Sequence, residues 1–198
     1  MASLTVFSDL LEQGKQSGIL PNRLQASRTW FREKASETGR LNSEVFLKQK
    51  DRFASRMMVG QMVLFSYNPK TKDTLPYYDR LPLVFPIAPS GNSFYGINMH
   101  YLPYVYRAKL MDALYTLSSD QRYSENTRLK LTFDLLNKSA RFKYFKPCVK
   151  QYLNTHIQSR LIVIHPSEWD IALFLPLERF QKATKQRVFE ESAKQFQR

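Results

Sequence analysis

Apolar positions along the chain follow a helical period near the N-terminus, a period of two in the middle, and then both in turn. Leu4, Phe7, Leu10 and Leu11 recur at helical spacing until Gly14 and Gly18 interrupt them. A second helical stretch over 26–34 sets Trp30 and Phe31 on a polar segment. Gly39, Asn42 and Ser43 end it, and a weaker helix follows with Val45, Phe46 and Leu47. From 57 to 102 the pattern predicts strands: 61–67 (QMVLFSY) up to the Asn68-Pro69 turn, 83–87 up to Pro89-Ser90-Gly91-Asn92, and 94–101 (FYGINMHY). In the third of these, alternation makes Tyr95, Ile97, Met99 and Tyr101 the core face. Phe94, Gly96, Asn98 and His100 form the other, polar one.

Helical period returns at Pro103, which suits a first helical position, with Tyr106, Leu110, Ala113, Leu114 and Leu117 on one face. Ser118-Ser119-Asp120 closes that helix. Ser124 or Asn126 caps a second with Leu129, Phe133, Leu136 and Ala140 inward, and Pro147 opens a third holding Val149, Tyr152 and Leu153. Residues 161–164 read as strand and 166–169 as a turn or a capped helical turn. For the apolar run 172–175, period leaves strand and buried helix both open. A final helix covers roughly 178–196.

These elements predict an α+β chain: a small antiparallel sheet or an SH3-like partly closed barrel, a helical insertion at about 103–158, and a C-terminal helix. Residues 1–56 form an N-terminal helical arm outside the main core, and 57–198 form the body. The segment 75–86, LPYYDRLPLVFP, carries three prolines around Asp79-Arg80. Proline fixes φ and lacks an amide donor, so the segment reads as a rigid extended crossing, as scaffold and not as a site.

Composition narrows the function by exclusion. With 43% hydrophobic and 14% aromatic residues, the 198-residue chain can bury a sizeable core. Cys148 is the one cysteine, so no intrachain disulfide is expected, and no run of about 18 apolar residues predicts a membrane span. The first residues lack the basic region of a secretory signal. His100, His156, His165 and Cys148 fall at no metal-ligand spacing. A Cys148/His156 pair has nothing to orient it, and Asp73, Asp79 and Asp112 are too dispersed for a Mg²⁺ nuclease. The six glycines form no phosphate-cradling pattern. No enzyme, metal or cofactor is expected.

Charge points towards an acidic partner. The formal net charge is +13, and 119–160 holds nine Lys/Arg against three Asp/Glu. There Arg128, Lys130, Lys138, Arg141, Lys143, Lys146, Lys150 and Arg160 are interleaved with Phe142, Tyr144 and Phe145, which suits phosphate contact beside stacked rings. The alternative is a loop whose rings enter the core while its cations are solvated. With no base-reading module, DNA contact would be nonspecific and salt-dependent. Trp30 and Phe31 are candidate partner-binding anchors, unless they dock on this chain's own body.

Several blocks together carry a resemblance: SRTWFREKA (27–35), the run 51–87, YGINMHYLP (95–103), RAKLMDALY (107–115) and HPSEWDIALFLPLERF (165–180). Over most of 27–190 the chain resembles a virion protein of contractile-tailed bacteriophages, of the kind labelled DNA end protector. The resemblance implies a non-enzymatic structural component that binds and protects the end of the packaged genome near the head–tail junction. Its implied partners are double-stranded DNA ends and other virion proteins, with no membrane and with several copies arranged symmetrically. Its implied location is the virion, after assembly in the host cytoplasm. The alternative is a tail or baseplate (hub or wedge) assembly protein that contacts virion proteins rather than DNA.

Overall fold

Residues 6–21, 24–39, 41–42, 47, 49–118, 133–138 and 145–196 are described by the computed structural model; side chains at 114–118 and 196 are not. Strands β1 (Phe53–Ala54), β2 (Val63–Leu64), β3 (Tyr78–Asp79), β4 (Leu83–Ser90), β5 (Ser93–Asn98), β6 (Val149–Leu153), β7 (Leu161–Val163) and β8 (Phe180–Gln181) divide into two antiparallel groups. One is a six-stranded sheet in the order β1-β7-β2-β4-β5-β6, and the other is the β3-β8 ribbon. The sheet stays open, so the antiparallel-sheet expectation holds and no barrel closes. The helices are α1 (Val6–Gln16), α2 (Gln25–Glu37), α3 (Tyr104–Ser118), α4 (Trp169–Phe174) and α5 (Lys185–Phe196). Within the range 103–158, α3 and a helical segment at 133–138 lie between β5 and β6, and 149–153 is β6 itself.

The central hairpin shows how prolines fit a buried strand. β4 turns into β5 through Gly91-Asn92, with Gly91 at φ 56°, a conformation that glycine adopts without strain. Pro86 lies in β4 beyond Val84, the last residue paired to β2, so its missing donor breaks no ladder bond. Its carbonyl accepts from the Gly60 amide at 3.0 Å. Opposite Pro86 stands Gly96, where a Cβ would meet Val84 Cγ1 and lie 3.1 Å from the Phe85 carbonyl. Gly96→Ala is therefore expected to destabilise the protein by about 1–3 kcal/mol in urea unfolding; an unchanged midpoint would show that the sheet shifts freely here.

Four expectations are corrected. Residues 149–153 form a strand, not a third helix: Pro147 sits in a 3-10 turn, and β6 pairs with β5 from Ser93↔Leu153 to Ile97↔Val149. The open edge of β5 has a row of donors and acceptors to satisfy, and that demand overrides a weak helical period. The strand predicted over 94–101 ends at Asn98 and tightens into a 3-10 turn over Met99–Tyr101, and its second face is not polar surface. Asn98 and His100 are wholly buried and Phe94 nearly so, while Tyr95 is 38% exposed. The final helix starts at Lys185, because Phe180–Gln181 pairs with β3 and Lys182 takes φ 66°.

The fourth concerns the N-terminal helices, which are not outside the core. Phe7, Leu10, Phe31 and Ala35 belong to the same buried cluster as Phe85, Ile97, Ile162, Trp169 and Leu173. Gly14 lets α1 lie against α2, since a Cβ there would be 2.7 Å from the Phe31 ring. Arg32 binds Asp170 at 2.7 Å and Asp112 at 2.8 Å, and Arg28 also reaches Asp112 at 2.8 Å, joining α2 to α3 and α4. The run 172–175 resolves as the end of α4, preceded by a capping box between His165 and Glu168. Leu136 of 133–138 is buried with Phe133 partly so, whereas Leu4, Val45, Phe46, Leu129, Ala140 and the caps at Ser124 or Asn126 lie outside the described residues. Among the described residues no helix is long and apolar enough to cross a membrane.

Helices cover one face of the sheet. On the other, Val63, Phe65, Tyr67, Val84, Phe94 and Tyr152 form a separate, largely aromatic cluster. Phe65 meets Tyr152 edge-on at 5.4 Å and Phe94 stacks on Tyr152 at 5.2 Å.

Candidate nucleic-acid interface

At one end of that aromatic cluster a cleft of about 340 Å³ opens between β6 and the stretch from Tyr67 to Asp79. Tyr67, Tyr77, Tyr78, Tyr101 and Tyr152 line it, together with Lys70 and Lys150. Strand alternation puts Lys150 and Tyr152 on one face of β6, with Lys150 opposite Gly96 and Tyr152 opposite Phe94. The other wall is the proline segment, held in place by β3-β8 pairing. Lys182 Nζ fixes the adjoining loop by donating to the carbonyls of Lys72, Asp73 and Leu75 at 2.7, 2.9 and 3.2 Å.

A buried network sets the floor. Asp79 Oδ1 accepts from the amides of Leu81 and Arg179, both at 3.0 Å, and Oδ2 lies 2.6 Å from His100 Nδ1. Asn98 Oδ1 accepts from the His100 amide at 3.0 Å, which fixes the side-chain orientation, so Asn98 Nδ2 donates to the Tyr152 hydroxyl at 3.0 Å. Both Asp79 oxygens are thus engaged. His100 is 0% exposed, so the Asp79–His100 pair braces the cleft from within.

The tyrosines and lysines of the cleft are its donors. Burial raises the phenol pKa of Tyr67, Tyr101 and Tyr152, and burial helped by Glu191 pushes Tyr77 up to about 12, so these rings keep their protons near neutral pH. The Tyr67 hydroxyl accepts from the Leu153 amide at 3.1 Å and that of Tyr152 accepts from Asn98, which leaves each O–H free to donate. Lys150 is half-buried, with Nζ 4.3 Å from the Tyr101 ring centroid. Burial lowers its pKa, and among the described residues it has no hydrogen-bond or ion-pair partner. An anion would supply one.

Of the described basic residues singled out in the sequence, Lys150 is the one that lines this cleft. Lys138 and Lys146 are exposed. Arg160 is exposed over the Phe53 ring at 5.1 Å, beside β7, four strand spacings or roughly 19 Å from β6. Arg128, Lys130, Arg141 and Lys143, with Phe142 and Tyr144, lie outside the described residues. Phe145 packs partly buried against the core. Phe31 is 2% exposed, and Trp30 meets it edge-on at 4.9 Å while staying partly exposed.

The remaining sequence candidates are separated. Cys148 is fully buried, which pushes its thiol pKa up, and His156 Nδ1 is 2.8 Å from the Asn68 carbonyl, so the two form no pair. Asp112 is held by Arg28 and Arg32, and no metal-holding cluster occurs among the described residues.

What the sequence reading missed is Lys70 and the five tyrosines. LPYYDRLPLVFP is scaffold, as expected, but through Tyr77 and Tyr78 it is also the wall of the cleft. The available signal was the pair of tyrosines between prolines, where packing alone is served by phenylalanine without a hydroxyl to satisfy.

A family model described as Phage T4 terminal DNA protecting protein matches residues 15–196. No curated protein and no solved structure matches the chain.

Proposed function

The chain belongs to the phage terminal DNA-protecting family, and from that premise we propose that it binds the end of a linear double-stranded genome and shields it from exonucleases. The observation that carries this reading is the extent of the match, which spans residues 15–196 and so includes both walls of the cleft. The charge of +13 and the donor-lined cleft support it. Protection requires occupancy and no turnover, which agrees with a site whose one lining carboxylate, Asp79, is fully engaged. In the particle the protein acts as a structural component near the head–tail junction, beside other virion proteins and in several symmetric copies. Lys138, Lys146, Lys150 and Arg160, with Arg128, Lys130, Arg141 and Lys143, serve as its phosphate contacts, and Trp30 as a contact to neighbouring proteins.

Linear duplex is expected to bind in preference to covalently closed circles of the same sequence, with affinity falling steeply as salt rises. Protected ends should resist a processive exonuclease at protein concentrations that leave a circle open to an endonuclease. Equal affinity for lines and circles would refute the reading. Charge reversal at Lys143, Lys146 and Lys150 together is expected to abolish retention of linear DNA at physiological salt.

A further inference from the structure

We infer that the tyrosine-lined cleft receives a single unpaired terminal nucleotide of a DNA strand, its phosphate held by Lys150 and the Tyr67 and Tyr152 hydroxyls and its base stacked on Tyr78. This deepens the end-binding reading and rests on it. Three independent features meet at the same place. The volume, about 340 Å³, lies at the small end of the ~300–1,000 Å³ range of ligand sites, room for one nucleotide and not for a duplex. Lys150 and the Tyr67 and Tyr152 hydroxyls each keep a hydrogen to donate, and the one lining carboxylate, Asp79, is held by two backbone amides and His100, so the site favours an anion. Tyr78 is half-buried at the cleft and its side chain has neither a hydrogen bond nor a ring partner among the described residues, so its face is available to a base.

The occupant is a strand end because of size. A base pair inside a duplex cannot enter a space of this volume, whereas an overhanging or frayed nucleotide is already unstacked and can. Lys70 lies at the same cleft and is exposed, suited to the next phosphate along the strand. No base-edge code is apparent in a set made of rings and point donors, so ends of any sequence are accepted. Selection for an end thus arises from geometry, and the nonspecific charge elsewhere adds affinity without selectivity.

The test uses the full chain and a short duplex with a single-stranded overhang whose last nucleotide is the fluorescent analogue 2-aminopurine. Binding is expected to change the emission of that terminal base by stacking and to leave the same analogue in the duplex interior unaffected. Lys150→Met is expected to weaken binding of the overhang roughly tenfold or more. Its thermal midpoint should stay equal or rise, because an unpaired, half-buried charge is removed; this separates loss of the site from loss of the fold. Tyr78→Ala should abolish the emission change, and Tyr78→Phe should keep it. If Lys150→Met and Tyr78→Ala both bind ends as the wild type does, the cleft is not the site, although end binding itself stands. If the wild type binds lines and circles alike yet still stacks the terminal base through Tyr78, the proposed function fails and the cleft remains a nucleotide site.

Discussion

Arg107→Ala is expected to be the most destabilising single substitution in the body, by about 3–5 kcal/mol in urea unfolding. The Arg107 side chain is fully buried and donates to three carbonyls: Leu102 at 2.8 Å, Leu173 at 2.7 Å and His100 at 3.1 Å. It therefore closes the 3-10 turn before α3, satisfies the end of α4, and lies 4.5 Å from the Tyr104 ring centroid. Truncation leaves three buried acceptors without partners and removes the guanidinium that faces Glu178 Oε1 at 3.8 Å. Arg107→Lys is no rescue, since one ammonium cannot span the three directions. A loss below about 1 kcal/mol would mean that water enters and replaces the guanidinium.

The same substitution carries a pH signature. Burial opposes ionisation of Glu178, but Arg107, His100 and Lys185 outweigh it and hold its carboxyl at about 2. A folded pKa below the unfolded value gives stabilisation that is complete above about pH 5 and is lost as pH falls towards 2, of order 3 kcal/mol in all. Without Arg107 the carboxyl titrates higher, so the wild type should lose stability more steeply than the variant between about pH 5 and pH 3. Urea midpoints at several pH values in that window measure it, and parallel profiles would remove Arg107 as the cause.

Deletion of residues 1–37 is the second large effect: it should abolish the cooperative thermal transition rather than release a separate arm. It strips Phe7, Leu10 and Phe31 from the core, each worth about 1.5–3 kcal/mol in burial, and uncovers the apolar side chains beneath them. It also leaves Asp170, 5% exposed, without the Arg32 guanidinium at 2.7 Å. Against a typical total stability of about 5–15 kcal/mol, that combination is not survivable. Retention of a sharp transition with native circular dichroism would show that α1 and α2 dock weakly. Arg32→Ala alone is the milder check, and it should lower the midpoint while leaving a folded protein.

How far the sequence could be read follows from which signals are local. The β4–β5 hairpin was legible because Gly91-Asn92 and the flanking apolar alternation are contiguous. The capped turn at 166–168 was legible for the same reason. Residues 149–153 were misread because a five-residue stretch fits both periods, and only the neighbouring β5 edge selects one. Phe31 could not be assigned to core or partner from its own segment, since Phe7 and the α4 residues that bury it are remote in sequence. For the site, the charge excess around Lys150 was visible, whereas the cleft draws Tyr67, Tyr78, Tyr101 and Tyr152 from four separate stretches.

By itself, then, the sequence determined the α+β class, the order of most elements, the absence of catalytic spacing, the family resemblance and the basic character of the chain. All of these depend on composition or on residues within one or two turns of each other. Tertiary structure alone decided that Lys150 is half-buried with no counter-ion among the described residues, which tyrosine hydroxyls still have a proton to give, and that LPYYDRLPLVFP forms a wall of the cleft. Those properties are set by distances between side chains far apart in the chain, because a charge or a hydroxyl acquires its partner only when folding brings the two within about 3 Å.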